Sequence, residues 1–454
     1  MKSLTTRRAI LVGALAALAV SLAWAFARAW SWAPVDDPGF VLSVRHLVEQ
    51  HGVLAPLIHA LDMMKFDFSW GLFRPAYWLY PGFMYLLPSG LAHGVRLFML
   101  LAIIGLCVIY FHRRGASGSR LWVILTLLVA SASQLIPGLF IISLQELSGM
   151  LFISIGLLCR KQPTRILFWL IAVWFKGPFA WFLIGNAVVQ WRRGSRKAAI
   201  ASAAIGVASL ALSAAFARNG SYTSNYHINV FDPWLWINAA HAFQEANFLV
   251  ILAFAWWLIT TQSRPNWDRD FPIFVIGWLG YLAQLSPWGF TAYYMGPITF
   301  SLGLLLCSLL VVQSRISWKA AAVGIVVPAL LACWLVRDQL SAGLSMDSIM
   351  SSATTCLSQT SSSRTVLFGD ALYVTTSPEG AVRLEQLARL ANPEWQGSVI
   401  AAQDSAQEFL SPNTSHAIVV DESALPEGRF GEAVCHSGST TMYALAPITA
   451  NSQL

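Results

Sequence analysis

Long apolar runs recur from near the N-terminus to residue 336, and short clusters of basic residues separate them. A helix needs about 20 consecutive apolar residues to cross a bilayer. The chain is 56% hydrophobic and only 11% charged, whereas a soluble protein carries about 25% charged residues. A chain of this composition cannot cover itself with polar surface. The runs therefore predict a mainly α, polytopic α-helical membrane protein.

About nine of these runs are interpreted as membrane spans. They lie at residues 9–30, 95–111, 121–142, 150–159, 198–217, 248–261, 271–285, 297–312 and 320–336. The first run is long for a signal peptide and is interpreted as an uncleaved helix. Residues 31–93 are semi-polar and contain many proline and aromatic residues. They predict a first outer loop of short amphipathic helices in the membrane interface.

The apolar stretch at residues 166–191 has basic residues at both ends and is interrupted by Lys176-Gly177-Pro178. A single span would place one basic cluster outside the cell, against the positive-inside rule. Two full helices would need about 40 residues. The stretch therefore predicts a re-entrant hairpin of two short helices that enters and leaves from the cytoplasm. Its non-helical centre is expected inside protein or beside a water-filled cavity.

With that hairpin, every predicted cytoplasmic loop carries at least two basic residues, and Asp268 and Asp270 are the only acids predicted on that side. The N-terminus is then cytoplasmic, in a membrane interpreted as the inner or plasma membrane of a bacterium. The net charge of +7 does not indicate a nucleic-acid partner, because the basic residues are spread over short loops rather than gathered on one domain.

Residues 1–337 form the predicted transmembrane domain, and residues 338–454 form a second domain of different composition. The second domain has no Lys and many Ser and Thr residues. Its predicted elements are a helix at 378–391 and strands at 365–368, 398–402 and 417–420. They indicate a small extracytoplasmic α/β domain. Cys356 and Cys435 could pair there if the compartment is oxidising, which the sequence leaves open.

Acidic residues at the outer face are the first candidates for chemistry. The pair Asp36-Asp37 follows the first predicted helix. It is interpreted either as a general base or metal ligand at the interface, or as a solvated turn or helix N-cap. Glu146 lies in the short outer link between two predicted spans. A single loop glutamate is usually solvated, but its position beside the acidic pair indicates a shared outer cavity.

Basic residues could supply an anion site at the same face. Lys176 lies within an apolar stretch, where an ionisable residue normally lines a cavity and would bind a phosphate as a point charge. The alternative is that Lys176 extends to the interface to reach water. Arg74 lies among aromatic residues and is interpreted either as a phosphate ligand or as an interfacial anchor.

Polar residues of the later outer loops are weaker candidates. They could contact a polar substrate or be structural, and they are Tyr226, His227, Tyr293 and Tyr294. The sequence has no Gly-rich phosphate loop, no HExxH motif and no GxSxG motif. Cytoplasmic ATP hydrolysis therefore has no machinery in this chain. No cysteine spacing predicts a metal site.

These features together resemble the GT-C superfamily of polytopic membrane glycosyltransferases. The resemblance rests on the Asp36-Asp37 pair after the first helix, the long amphipathic outer loop, the short helices around Glu146 and the interrupted hairpin at Lys176. An outer C-terminal domain is also common in that superfamily. The segment at residues 73–80, which ends in Tyr77-Trp78-Leu79-Tyr80, is similar to bacterial members of unassigned substrate.

The resemblance implies transfer of a hexose or pentose from a polyprenyl-phosphate carrier to a hydroxyl of a glycan, lipid or protein on the outer face, usually with inversion. Asp36 or Asp37 would be the general base. Glu146 would orient the acceptor, or hold a divalent metal in members that use one, and no other cofactor is implied. Lys176 and Arg74 would neutralise the lipid phosphate as it leaves.

Two other functions remain open from the sequence. A transporter or flippase should show related halves and ionisable residues near the midplane, but the sequence offers one such residue, Lys176, and no internal repeat. A membrane assembly protein without catalysis would use the outer loop and the C-terminal domain as a binding scaffold.

Overall fold

The structure, a computed structural model, describes residues 37–219, 232–262, 268–285, 295–311, 318–360, 364–368, 378–401, 415–419, 430–437 and 440–445. Its α-helices are α1 (Asp37–His51), α2 (Ala55–Trp70), α3 (Leu79–Met84), α4 (Ser89–Arg113), α5 (Ser119–Ala132), α6 (Pro137–Phe140), α7 (Glu146–Leu158), α8 (Gln162–Phe175), α9 (Ala180–Arg192), α10 (Arg196–Asn219), α11 (Pro233–Thr261), α12 (Phe271–Leu285), α13 (Met295–Leu310), α14 (Trp318–Ser358) and α15 (Pro378–Ala391). The predicted first span, at residues 9–30, lies outside the described residues.

A helical bundle with one continuous apolar core contains the helices from α4 to α14. Three described helices are long and apolar enough to cross a membrane, and they are Ser89–Arg113, Arg196–Arg218 and Ala322–Ser345. Five shorter apolar helices have 10–17 residues. The prediction of an α-helical membrane protein is therefore confirmed, while the count of about nine spans stays a prediction.

Helices α8 and α9 are the two short helices that the sequence predicts on either side of Lys176-Gly177-Pro178, while their entry and exit from the cytoplasm stay a prediction. The two helices have 14 and 13 residues and are joined by a tight turn at Gly177–Phe179. The hairpin packs closely against α7, where a Cβ on Gly149 would overlap the ring of Phe179, and a Cβ on Gly156 would overlap the indole of Trp169. Glycine at these two positions therefore lets the aromatic rings approach the α7 backbone.

The predicted span at residues 121–142 is wrong as a single helix. Helix α5 ends at Ala132, and a 3-10 turn at Ser133–Leu135 and the short α6 follow. Pro137 has no backbone N–H to continue the helical bonding. Buried side chains replace the lost partners, because His93 bonds to the carbonyl oxygen of Leu139 and Arg96 donates to that of Gly138. Irregular backbone is tolerated at such a position when it is enclosed by protein.

Helices also extend beyond the other predicted spans. Helix α11 begins at Pro233, so much of the segment between the predicted spans at 198–217 and 248–261 is helical. The Asp232 side chain caps its first turn by accepting from the backbone N–H of Trp234. Helix α14 has 41 residues and passes through the proposed domain boundary at 337/338 without a break.

The first outer loop contains the short helices that the sequence predicts. Helices α1, α2 and α3 follow one another within it. Val53 and Leu54, at the turn between α1 and α2, are exposed, as are Leu57 and Leu61 on α2. An exposed apolar face of this kind suits a membrane interface.

The C-terminal sheet has five described strands in the order β2-β1-β3-β5-β4. The strands are β1 (Arg364–Phe368), β2 (Ser398–Ala401), β3 (His416–Val419), β4 (Phe430–Ser437) and β5 (Thr440–Leu445). Strand β1 pairs in parallel with β2 and β3, whereas β5 pairs antiparallel with β3 and β4. The three predicted strands and α15 are confirmed. Strands β4 and β5 were not predicted.

The C-terminal domain packs directly on α1, in the segment predicted to be the first outer loop. Val41 and Val44 of α1 share an apolar cluster with Leu384 and Leu387 of α15. A disulfide joins Cys356 of α14 to Cys435 of β4, which answers the question of pairing that the sequence left open. Helix α1, which begins with Asp37, thus lies between the bundle and α15.

Candidate functional site

Asp37 is fully buried at the first turn of α1. Its Oδ1 accepts from the hydroxyl of Tyr85 at 3.0 Å and from the backbone N–H of Ser143 at 2.9 Å, and its Oδ2 accepts from the N–H of Ile142 at 2.7 Å. Hydrogen bonds from N–H groups to a buried carboxylate offset the cost of burying its charge. Asp37 therefore fixes the position of the link between α6 and α7, which leads into Glu146.

Glu146 and Lys176 form an ion pair. Glu146 begins α7, and Lys176 ends α8 with an extended backbone just before the Gly177-Pro178 turn. The ammonium of Lys176 donates to Oε1 of Glu146, and the two side chains are only 12% and 5% exposed. The structure therefore brings together two residues that the sequence singled out 30 positions apart, and both belong to one buried cluster.

Arg74 also pairs with a buried carboxylate. Its Nε and Nη2 donate to Oδ2 and Oδ1 of Asp67 at 3.0 and 2.5 Å, and the indole N–H of Trp78 donates to Oδ2 at 2.9 Å. The guanidinium carbon lies 3.9 Å from the centre of the Tyr77 ring. Burial raises the pKa of the Asp67 carboxyl, and the charge of Arg74 opposes that rise. Asp67 was not predicted as a site residue, because nothing in its spacing links it to Arg74.

The Glu146–Lys176 pair and Arg74 lie close together. We call this group the site cluster and define it as Arg74, Glu146, Lys176 and Tyr281. The loop after α2 reaches the hairpin, since the N–H of Ala76 donates to the carbonyl of Trp174 at 3.2 Å. Arg74 and Lys176 are close enough for their charges to interact, as are Glu146 and the Tyr281 hydroxyl.

Several polar atoms in and beside the site cluster are buried without a hydrogen-bond partner among the described residues. They are Oε2 of Glu146, Oγ of Ser143 and the hydroxyl of Tyr281. A buried polar group without a partner costs about 1–3 kcal/mol. Such groups are rare in folded proteins and need an explanation, such as a ligand that binds them.

A second set of buried residues supports the link between α6 and α7. Arg96 is fully buried and donates to the carbonyl oxygens of Gly138 and Leu144 and to the Ser148 hydroxyl at 3.3 Å. Sequence analysis missed this residue. Its position one residue inside a predicted span was a usable signal, because an arginine in a span is rare and usually has a specific partner.

His59 occupies an aromatic pocket next to Asp37. Its ring packs edge-on against Trp78 and Tyr85, with centroids 6.2 Å apart in both cases, and Phe40 completes the pocket. Burial lowers the pKa of His59 to about 4, and the charge of Asp62 opposes this shift only in part. His59 is therefore neutral at physiological pH.

The opposite end of the hairpin carries a second charged group, here called the basic-end network and defined as Arg114, Arg193, Asp268 and Asp270. Arg193 and the Tyr110 hydroxyl donate to the two oxygens of Asp270 at 2.6 and 2.7 Å, and Arg114 donates to Asp268 at 2.5 Å. Helix α9, about 20 Å long for its 13 residues, separates this network from Lys176. The predicted topology places these four residues on the cytoplasmic side.

Five of the predicted site residues lie outside the described residues, and they are Asp36, Tyr226, His227, Tyr293 and Tyr294. Within the described ranges, no group of three or more His, Cys, Asp or Glu side chains could hold a metal ion. Asp37 accepts three hydrogen bonds and Glu146 binds Lys176, so the acids that are described do not form a set of metal ligands.

The fold is similar to that of ArnT, a protein of known structure. The structure of ArnT from Cupriavidus metallidurans bound to undecaprenyl phosphate matches 96% of this chain and 98% of its own, with a TM-score of 0.51 and 11% sequence identity. The structure of the same protein in the apo state matches the same shares at a TM-score of 0.49 and 12% identity. ArnT is a GT-C glycosyltransferase, so the fold expected from the sequence resemblance is confirmed. No family model and no curated protein matches the sequence.

Proposed function

We propose that this chain is a membrane glycosyltransferase that uses a polyprenyl-phosphate sugar as donor. The fold supports the proposal, since a protein of the same fold has been crystallised with undecaprenyl phosphate. The observation that carries it is the site cluster, in which the buried Lys176 lies near Arg74 and beside polar atoms that lack a partner among the described residues.

Lys176 and Arg74 would bind the phosphate of the donor. Negative charge develops on that phosphate as its bond to the sugar breaks, and fixed positive charges stabilise this change most effectively where water is excluded. Lys176 is 12% exposed and Arg74 is 21% exposed, so both charges are shielded from solvent. The prenyl tail would remain in the surrounding lipid.

The proposal gives the two members of the acidic pair different tasks. Both oxygens of Asp37 accept hydrogen bonds within the protein, so Asp37 is a positioning residue. The other member of the pair, Asp36, would therefore meet the acceptor. Asp36 would take the proton of the acceptor hydroxyl while the acceptor oxygen bonds to the anomeric carbon. The bond between that carbon and the phosphate oxygen breaks, which releases polyprenyl phosphate with inversion.

The reaction is proposed on the extracytoplasmic face. Basic residues concentrate at the other end of the hairpin, as the positive-inside rule expects of a cytoplasmic end. The Cys356–Cys435 disulfide supports an oxidising compartment for the C-terminal domain. The acceptor would be a hydroxyl of a glycan, a lipid or a protein. Tyr226, His227, Tyr293 and Tyr294, in the later loops, would contact the donor or the acceptor.

A matched pair of variants tests the proposal. The full-length protein in nanodiscs is given a panel of undecaprenyl-phosphate hexose and pentose donors, and sugar transfer to membrane acceptors is measured by mass spectrometry. We expect Asp36→Asn to lower transfer by about 10²–10⁴-fold, because a general base is lost, without a change in thermal stability. Asp37→Asn should lower both transfer and stability, because it removes a buried acceptor of three hydrogen bonds.

The same measurements can contradict the proposal. Equal transfer by Asp36→Asn and the wild type would exclude Asp36 as the base. Failure of the wild type to transfer sugar from every donor, with translocation of the lipid across the vesicle membrane, would favour a flippase. Absence of both activities would favour a non-catalytic assembly protein.

A further inference from the structure

The site cluster contains two cations, and each one is paired with a buried carboxylate in a different way. Both oxygens of Asp67 are used, since Arg74 donates to each of them and Trp78 donates to Oδ2. A guanidinium that binds a carboxylate through two parallel bonds is held in a fixed orientation. The Asp67 side chain is 1% exposed. Arg74 is therefore held by a complete set of contacts.

The second pair is incomplete. Lys176 contacts one oxygen of Glu146, and the other oxygen is buried without a hydrogen-bond partner among the described residues. The hydroxyls of Ser143 and Tyr281 are also buried without a hydrogen-bond partner among the described residues. An ammonium binds as a compact point charge without a preferred plane, so one anion can replace another on it. A carboxylate that has only one oxygen in a hydrogen bond also loses fewer contacts when it leaves its cation.

We propose that Glu146 is an exchangeable counter-ion, which the phosphate of the incoming polyprenyl phosphate displaces from Lys176, while Arg74 keeps its contact with Asp67. This inference rests on the proposed function and concerns the same site. In the empty protein Glu146 neutralises the buried ammonium. When the donor binds, its phosphate takes over that task and the Glu146 carboxyl is released into the space next to Ser143 and Tyr281, whose hydroxyls can then bind it.

The exchange lowers the affinity for the donor in a measurable way. Only molecules with a free Lys176 accept the phosphate, so the apparent dissociation constant is the intrinsic one divided by the fraction of such molecules. If Glu146 occupies Lys176 nine times in ten, its removal strengthens binding about tenfold. The change Glu146→Gln keeps the volume and a carbonyl acceptor for Lys176, but it removes the competing charge.

Binding of undecaprenyl phosphate to the full-length protein in nanodiscs tests the exchange, with intrinsic tryptophan fluorescence as the readout. We expect Glu146→Gln to bind the lipid about tenfold more tightly than the wild type. The matched control Asp67→Asn changes the other carboxylate and should weaken binding, because Arg74 loses its fixed orientation. Lys176→Met should abolish the effect of Glu146→Gln. Equal or weaker binding by Glu146→Gln overturns the proposal.

A second measurement uses the wild type and does not depend on how the variants fold. Once separated from Lys176, the Glu146 carboxyl is no longer held in an ion pair, and hydrophobic carbodiimides modify carboxyl groups that lie outside ion pairs in apolar surroundings. We expect undecaprenyl phosphate to increase the labelling of Glu146 by dicyclohexylcarbodiimide, measured by peptide mass spectrometry, without an increase at Asp67. Unchanged or reduced labelling of Glu146 contradicts the exchange.

The outcomes separate this inference from the proposed function. If the wild type neither binds undecaprenyl phosphate nor transfers sugar, both fail. If the wild type binds the lipid and transfers sugar, but Glu146→Gln does not bind more tightly, only the exchange fails and Lys176 remains a phosphate ligand.

Discussion

The two ends of the hairpin both bury charged side chains, yet they differ in how completely their carboxylates are paired. In the basic-end network both oxygens of Asp270 accept hydrogen bonds. The Nε of Arg114, which lies 3.9 Å from the same carboxylate, has no hydrogen-bond partner among the described residues. In the site cluster Glu146 uses one oxygen, and the Tyr281 hydroxyl has no partner among the described residues. A carboxylate with both oxygens paired suits a structural joint, whereas a half-paired carboxylate suits a place that receives a ligand.

This difference assigns separate roles to residues that look alike in the sequence. Breaking a buried ion pair leaves an uncompensated charge and destabilises a protein by several kcal/mol. At the basic end nothing offsets that loss, so changes there should act on folding. At the site cluster a ligand can supply the missing contacts, so changes there should act mainly on binding and catalysis.

The largest effect is expected at the basic end. The change Asp270→Ala removes the acceptor for both Arg193 and Tyr110, and it should lower the free energy of unfolding by about 3 kcal/mol. Arg193 is 37% exposed and can turn toward solvent, which is why we expect the lower end of the usual range. Thermal unfolding in detergent measures the loss. Asp338→Ala, at an exposed residue of α14, is the control and should be neutral.

The same variant also tests the division of roles. Sugar transfer per folded molecule should remain close to that of the wild type in Asp270→Ala, since the network lies about 20 Å from Lys176 along α9. A large loss of transfer with normal stability would show that the two ends are coupled, and the comparison would then fail.

A smaller effect is expected where α7 meets the hairpin turn. The change Gly149→Ala adds a methyl group that overlaps the ring of Phe179, and overpacking of this kind costs about 1–3 kcal/mol. Because Phe179 lies three residues after Lys176, the displaced turn should also reduce transfer. In Gly105→Ala on α4 the added Cβ meets no atom within 4 Å, so this change should leave transfer unchanged and raise stability by about 1 kcal/mol at most, because alanine favours a helix more than glycine does. If Gly149→Ala behaves like Gly105→Ala, the packing of the hairpin on α7 is looser than the structure shows.

The last effect concerns the dependence of stability on pH. The pKa of His59 is about 4 in the folded protein, against an ordinary value of 6.5. Between pH 6.5 and 4 the unfolded chain therefore holds a proton that the folded protein lacks, so stability falls as the pH falls through this window. The expected slope is about 1 kcal/mol per pH unit, and it should end near pH 4.

A substitution isolates the contribution of His59. His59→Gln should flatten the dependence of the melting temperature on pH between 6.5 and 4, because glutamine does not titrate. The exposed His46 on α1 supplies the control, since His46→Gln should keep the slope of the wild type. An unchanged slope in His59→Gln would mean that His59 does not stay neutral in the aromatic pocket.

Local patterns in the sequence were enough to predict much of the secondary structure. The basic clusters around an interrupted apolar stretch predicted the hairpin that carries Lys176. Alternation and helical spacing predicted β1 to β3 and α15. Strands β4 and β5 escaped prediction because most of the β4 side chains lie at the surface, so no apolar alternation marks that strand.

Which charged side chains pair with one another in the site depends on contacts between distant parts of the chain. The pairing of Glu146 with Lys176, of Asp67 with Arg74 and of Asp37 with the amides of Ile142 and Ser143 depends on how helices pack. The sequence reports residue types and short-range periodicity, and these identify membrane segments because burial in lipid demands an apolar, hydrogen-bonded helix. It does not report which charges become neighbours, because partners are chosen by packing among elements that lie far apart in the chain.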